Sequence, residues 1–290
     1  MEQQIELPEA EHDNYPAAMV NVTNKCTLRC KHCFVFREEN PNTPGNEMDS
    51  ATMIETLRRL QKRYGILTML WMGGEPLLRP DVLREGVKLF VSNNITTNGT
   101  IDLIDLPRSL YVVSIDGPPE VNDSIRGKGS FDRAMKTLRR LPENFGPTVM
   151  CQCVVTAQNE DYMAELVEIL RDTRLDGMTF SFYVPGRKDT TGLSWGSLRR
   201  RDPAVKEAMR LKKKYPDFIW NKRLGLELTL SQNAKAVTDN CPSKRLVLPL
   251  YLDGDKFVTP YCCYGNDVDC DLCGAWVVFH IAAKMKEGGG

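Results

Sequence analysis

The stretch Asn24-Lys25-Cys26-Thr27-Leu28-Arg29-Cys30-Lys31-His32-Cys33 puts three thiols within eight positions, spaced C-x3-C-x2-C. Three is the informative number. A closed structural zinc site takes four ligands, and a 4Fe–4S cube normally takes four cysteines. Three clustered thiolates therefore point to a metal centre with one corner left open, where a substrate or cofactor can bind. A zinc knuckle and three unrelated core thiols are the alternatives.

The chain has ten cysteines. Besides this trio, Cys241, Cys262, Cys263, Cys270 and Cys273 bunch near the C-terminal end. Bunched thiols in a chain of this length fit metal binding in a reducing compartment better than a disulfide framework. Zinc is one reading of the second group, because C-x2-C at 270–273 with two more thiols makes a tetrahedral site. Cys151 and Cys153 alternate with Val149 and Val155 in a strand and read as small core residues.

The elements that must hold these residues follow from period and punctuation. Residues 17–22 read as a strand delivering its C-terminal end into the Cys26 loop, the usual place of function in α/β folds. Residues 34–48, with Pro41, Pro44 and Gly45, read as a loop closing over the thiols. Asp49-Ser50 predicts a helix start ahead of Met53, Ile54, Leu57 and Leu60, and Gly65 its end. The apolar run 66–72 predicts a buried strand ending in Gly73-Gly74-Glu75-Pro76. Glycines there allow close backbone approach to a ligand, and a carboxylate and carbonyls can accept from an ammonium group.

Pro80-Asp81 opens another predicted helix, and residues 94–99 and 110–118 predict strands. Their ends present Asn98, Ser114 and Asp116; Asp116 could instead only cap the turn before Gly117-Pro118. Ser130 is expected to cap a helix carrying Phe131, Ala134, Leu138 and Leu141. A strand at 148–156, a helix near 161–172 and a strand at 178–185 complete six strand–helix repeats, suited to a parallel sheet. The stretch 194–235 reads as helical, with Pro203 near a helix start. Residues 246–252 and 256–258 predict a hairpin around Asp253-Gly254-Asp255. Residues 276–286 predict an amphipathic helix over the barrel, with His280 structural.

The Cys26 loop, Gly73-Gly74-Glu75-Pro76 and the run from Ser114 to Asp132 together resemble the radical S-adenosylmethionine (radical SAM) superfamily. The resemblance implies an α/β fold, a (β/α)6 partial TIM-like barrel with a small C-terminal hairpin and helix extension. It implies that Cys26, Cys30 and Cys33 hold three irons of a 4Fe–4S cluster, whose fourth iron chelates the methionine part of S-adenosylmethionine. Gly73, Gly74, Glu75 and Pro76 would then hold the methionine amino group, and Asn98, Ser114 and Asp116 the ribose and nearby polar atoms. Arg126 would pair with the methionine carboxylate, a surface arginine being the alternative; His32 would lie beside the adenine, and Val184 belongs to the same cofactor site.

The C-terminal hairpin flanked by cysteines resembles the twitch or truncated SPASM extension, which binds an auxiliary 4Fe–4S cluster. On that resemblance its ligands are Cys241, one of Cys262 or Cys263, Cys270 and Cys273, although the gap from Gly254 to Cys262 is longer than usual. Expected boundaries are 1–190 for the barrel core, 191–240 for a helical connector and 241–290 for the extension.

Lys+Arg and Asp+Glu both total 38 among 290 residues, so no global field draws the chain to nucleic acid or anionic lipid. The runs Arg199–Arg201 and Lys212–Lys214 read as solvated faces. The acidic start, with Glu2, Glu6, Glu9 and Glu11, is unlike a secretory signal, and no apolar run approaches the about 18 residues of a membrane span. A cytoplasmic enzyme, with flavodoxin or ferredoxin as reductant, is expected. The resemblance implies one-electron cleavage of S-adenosylmethionine to a 5′-deoxyadenosyl radical that attacks an unactivated C–H bond or an alkene. Because Cys26 lies near the start, a peptide-recognition domain is not expected and a small biosynthetic intermediate is preferred. A polyisoprenoid or hopanoid-type lipid, a ribosomal peptide, and a non-catalytic iron–sulfur carrier or scaffold are the other readings.

Overall fold

Strands and helices come in the order the sequence predicts, save that residues 98–108 join two successive strands without a helix, so the six expected strand–helix repeats are not complete. The computed structural model describes residues 7–42 and 45–288, so Glu2, Glu6 and Pro44 lie outside it. Its first half contains β1 (Ala17–Asn21), α1 (Ser50–Tyr64), β2 (Thr68–Met72), α2 (Pro80–Gly86), β3 (Ser92–Thr97), β4 (Ser109–Ser114), α3 (Pro119–Arg126) and α4 (Ser130–Arg139). Then come β5 (Thr148–Val155), α5 (Met163–Leu170), β6 (Gly177–Phe182), α6 (Leu198–Lys214), α7 (Arg223–Thr229) and α8 (Ser231–Thr238). The chain ends in α9 (Pro242–Leu246), β7 (Val247–Asp253), β8 (Lys256–Val258) and α10 (Trp276–Gly288).

Local chemistry sets the ends of α1. The Asp49 carboxylate accepts from the Ala51 and Thr52 N–H groups, both at 3.0 Å. A cap of this kind is worth about 1 kcal/mol. Gly65 takes a left-handed φ of 68° and closes the helix. Met53, Leu57 and Leu60, three or four positions apart, are fully buried against the sheet.

Period-two alternation in the strands splits the core into two layers. Met69 and Trp71 of β2 face the helices, while Leu70 and Met72 pack with Met19 and Val247 on the opposite side. In β5, Val149, Cys151, Cys153 and Val155 belong to the helix-side core, as expected of small core thiols. The intervening Met150 and Gln152 line the interior.

The sheet order is β6-β5-β4-β3-β2-β1-β7-β8. Neighbours from β1 to β6 pair in parallel, and so do β1 and β7, whereas β7 with β8 is antiparallel. The hairpin expected to open a separate extension at 241 is thus continuous with the barrel sheet, Val20 lying opposite Leu250.

Three local expectations differ from the structure. Residues 119–126 form α3, started by Pro119, where no helix is predicted from so short a polar stretch. Ser130 is the first residue of α4 rather than its cap. The Asp123 carboxylate serves that end instead, accepting from Phe131 N–H at 3.0 Å and from Ser130 Oγ at 3.1 Å. Pro203 lies inside α6, well past its start at Leu198.

Candidate functional site

The C-terminal ends of β1 and β2 bring the first two motifs together. The Gly74 N–H donates to Thr23 O at 2.7 Å and the Glu75 N–H to Lys25 O at 2.9 Å. No side chain fits between these segments: a Cβ on Gly74 would sit 2.0 Å from Lys25 O, and one on Gly73, at φ 126°, 2.7 Å from Thr23 O. The glycines therefore serve the close approach of two loops as well as the cavity they line.

The other flank of the thiol loop rests on α3, where the Lys31 N–H donates to Ile125 O at 2.9 Å. Cys30 Sγ lies 3.9 Å from Arg126 O. Cys26, Cys30 and Cys33 line one cavity of about 150 Å3 together with Gly73, Gly74, Asn98, Ser114 and Arg126. His32 and Val184 also line it, and the Val184 carbonyl accepts from Arg37 Nη2. Asn98 Nδ2 reaches Thr27 Oγ1 at 3.0 Å and Cys26 Sγ at 3.6 Å.

Three expected ligands stand one layer behind that wall. Glu75 is wholly buried, and its carboxylate accepts from Thr97 Oγ1 at 2.8 Å, Asn98 N at 2.9 Å and Leu77 N at 3.1 Å. Those donors take three of the carboxylate's about four acceptor sites, so Glu75 chiefly locks β2 to β3. Pro76 is buried at the start of the following turn. Asp116 lies under Arg126 and His32: its Oδ2 is 2.6 Å from Arg126 Nε and 2.7 Å from His32 Nε2, and its Oδ1 accepts from Val154 N–H at 2.8 Å. Asp116 is therefore neither a lone turn cap nor a cavity contact; it aims the two side chains that are.

The charges follow from burial. Burial alone would raise the Asp116 carboxyl, but the Arg126 and His32 charges outweigh it and hold that carboxyl below the usual carboxylate range. The guanidinium of Arg126 stays charged in the same embrace. Burial pushes the Cys30 thiol up to about 11, against the pull of Arg126, and raises Cys26 and Cys33 as well. Thiols raised in this way give up their protons to a metal, which makes binding pH-dependent. His32 Nδ1 is shut off from solvent without a partner.

The second thiol group also assembles. Cys273 packs in an apolar cluster with Val184, Val268 and Phe279, and Cys241, Cys262 and Cys270 lie against that cluster. Cys262, raised to about 11 chiefly by burial, feels the charges of Cys241 and Cys270; Cys273, raised to about 12, feels Cys262 and Cys241. Cys263 instead packs with Met19, Val247 and Tyr251, its Sγ 3.8 Å from Ser243 Oγ.

Arg201 backs this group. Predicted as part of a solvated run, it is 1% exposed, because its guanidinium finds carbonyl partners inside: Leu272 O at 3.2 Å, Cys273 O at 2.8 Å and Thr229 O at 2.8 Å. Three adjacent arginines give no sequence signal that one turns inward.

Among the described residues, no three His, Cys, Asp or Glu side chains close in tightly enough for a single metal ion. Two thiolates on one zinc ion stand about 3.8 Å apart, given Zn–S near 2.3 Å and tetrahedral angles. A cube spreads its corner thiolates wider, and an all-thiol donor set suits an iron–sulfur cluster as well as tetrahedral zinc. Both thiol groups fit such a cluster on chemistry and enclosure.

A family model described as "Radical SAM superfamily" matches residues 20–170, just over half of the chain. The chain belongs to that superfamily, whose cofactors are a 4Fe–4S cluster and S-adenosylmethionine. It is 31% identical over 180 residues to pre-heme d1 synthase of Dinoroseobacter shibae, covering 58% of this chain and 44% of that protein. It is 31% identical over 172 residues to mycofactocin maturase MftC of Mycolicibacterium smegmatis, covering 53% and 43%. The chain thus spans less than half the length of these relatives. The solved structure of anSMEcpe with bound AdoMet and the Cp18Cys peptide superposes with a TM-score of 0.63 over 93% of this chain and 80% of that one, at 17% identity. That likeness bears out the partial-barrel fold. Among the described residues no helix is long and apolar enough to cross a membrane.

Proposed function

We propose that this chain reductively cleaves S-adenosylmethionine and uses the product on an unactivated C–H bond of a small biosynthetic intermediate. One observation carries the reading: three thiols, two glycines, Asn98, Ser114 and a clamped Arg126 converge on a single cavity. When bound, the cluster and S-adenosylmethionine supply a 5′-deoxyadenosyl radical. The protein's part is to bind, aim and exclude water. Arg126, oriented by Asp116, offers a fork of donors to the methionine carboxylate. The unpaired His32 Nδ1 and the polar atoms of Asn98 and Ser114 are available to the nucleoside.

Cys241, Cys262, Cys270 and Cys273 form the auxiliary site in this reading, with Cys263 set aside for its packing against Met19. Four thiol corners favour electron relay over direct substrate binding, and flavodoxin or ferredoxin fits as reductant. Pre-heme d1 synthase supports a small intermediate as substrate, while the name of MftC and the peptide bound to anSMEcpe support a peptide. A lipid remains a third substrate class.

Anaerobic reconstitution, then dithionite and S-adenosylmethionine, tests the reading. Release of 5′-deoxyadenosine that disappears in Cys30→Ala is expected. A protein carrying two clusters yet releasing none would be a carrier or scaffold instead.

A further inference from the structure

A six-stranded partial barrel is open on one side, between β6 and the β1–β7 pair, and here α10 fills the gap. Its first residue donates from Trp276 N to Ser181 Oγ of β6 at 3.1 Å, and Phe182 N donates to Gly274 O at 2.9 Å. Further along, Ile281 packs with Met19 of β1 and Val247 and Tyr251 of β7. The helix therefore reaches from β6, one edge of the sheet, to the β1–β7 pair.

Behind it lies a second cavity of about 300 Å3. Met19, Leu110 and Met150 line it from the strands, and Trp276, Val277 and His280 from α10. It adjoins the thiol-lined cavity, sharing Met72, Thr96, Gln152 and Tyr264 with it. Its volume is at the lower end of ligand pockets, about 300 to 1,000 Å3.

Among the described residues no Lys, Arg, Asp or Glu lines this chamber. An ionised group placed there would lose its water without gaining a counter-charge. Two polar atoms on α10, Trp276 Nε1 and His280 Nδ1, are shut off from solvent and have no hydrogen-bond partner. Buried polar groups are normally paired; Trp276 and His280 line this chamber and a small cleft beside Asn221 and Gly225, and of the two only the chamber has room for a ligand. The two rings stack, centroids 4.5 Å apart. Burial, then the charges of Lys284 and Lys222, hold the His280 imidazole down at about 4, so it is a neutral ring with one donor and one acceptor.

We infer that this chamber takes the part of the substrate next to the cofactor, that this part is uncharged and chiefly apolar, and that His280 and Trp276 bind its hydrogen-bonding group. The inference rests on the functional reading above for the word substrate, and on the cavity alone for the class of ligand. It also makes α10 a specificity-determining wall.

The reconstituted protein is titrated by fluorescence with 1-aminoanthracene, a neutral flat amine, and with anthracene-1-carboxylate, its anionic counterpart. Saturable binding of the amine at one site is expected, with the carboxylate at least about tenfold weaker. Leu110→Trp, which fills the chamber, should abolish amine binding. His280→Phe and Trp276→Phe, which keep a ring but remove the polar atoms, should each weaken it about three- to tenfold, the value of one hydrogen bond. Equal binding of amine and carboxylate, or amine binding indifferent to Leu110→Trp and to both α10 variants, overturns the inference. Release of 5′-deoxyadenosine by the wild-type protein is scored separately: its absence sinks the functional reading and leaves the chamber's ligand class standing.

Discussion

Arg201 Nη1 donates to the backbone carbonyl of Cys273 at 2.8 Å, from a guanidinium that is almost wholly enclosed. Burial pulls this group down to about 10, so it remains charged at neutral pH, and the Cys273 charge favours it. Arg201→Met strands the carbonyls of Thr229, Leu272 and Cys273. With about 1–3 kcal/mol for each buried group left unpaired, offset by loss of a buried charge, a net destabilisation of about 2–4 kcal/mol is expected in guanidinium unfolding. Iron bound after reconstitution should fall toward that of one cluster, because the Cys273 loop loses its backing.

Cys262 and Cys263 give opposite results despite being neighbours. Two 4Fe–4S clusters supply about eight irons per chain. Cys262→Ala should lower iron and sulfide to about half and remove the auxiliary EPR signal. Cys263→Ala should retain both clusters, since Cys262 packs with the Cys241, Cys270 and Cys273 group while Cys263 packs with Met19, Val247 and Tyr251.

Asp116→Asn keeps the shape of the side chain but removes the charge shared by Arg126 and His32. Breaking a buried ion pair from one side costs about 3–5 kcal/mol. A lower thermal midpoint and at least about tenfold weaker S-adenosylmethionine binding by equilibrium dialysis are expected, with Arg126 no longer aimed. Unchanged affinity would show that Arg126 finds its ligand without this support.

Gly74→Ala places a methyl group 2.0 Å from the Lys25 carbonyl. Backbone must move, at a cost of about 1–3 kcal/mol. Because the shift opens the contact between the glycine motif and the Cys26 loop, iron retention at the first cluster should drop along with stability, as colorimetric iron analysis would show.

The pH dependence of stability carries a mark of His280. Its ordinary value of 6.5 falls to about 4 in the folded chain, first by burial and then by Lys284 and Lys222, against a weaker pull from Glu287. Between those two values the unfolded chain binds the extra proton, so stability falls as pH drops through that window. His280→Phe removes this contribution. Guanidinium midpoints of metal-free protein should therefore decline less steeply in the variant from pH 6.5 to 4.

Sequence by itself determined most of the elements and the thiol trio. Periods of two and 3.6 and the Asp49 and Gly65 signals are local properties, so they survive without knowledge of the fold. Cys26, Cys30 and Cys33 are likewise close in space because eight positions of chain cannot separate them far. Tertiary structure decided everything that depends on who faces whom. It placed Glu75 and Asp116 behind the cavity, because each collects donors from elements tens of residues away. It turned Arg201 inward onto the Cys273 loop and set Cys262, but not Cys263, against the other C-terminal thiols. The closing of the open barrel by α10, with Trp276 and His280 facing the interior, depends on pairing between strands far apart in the chain, and no local pattern encodes that.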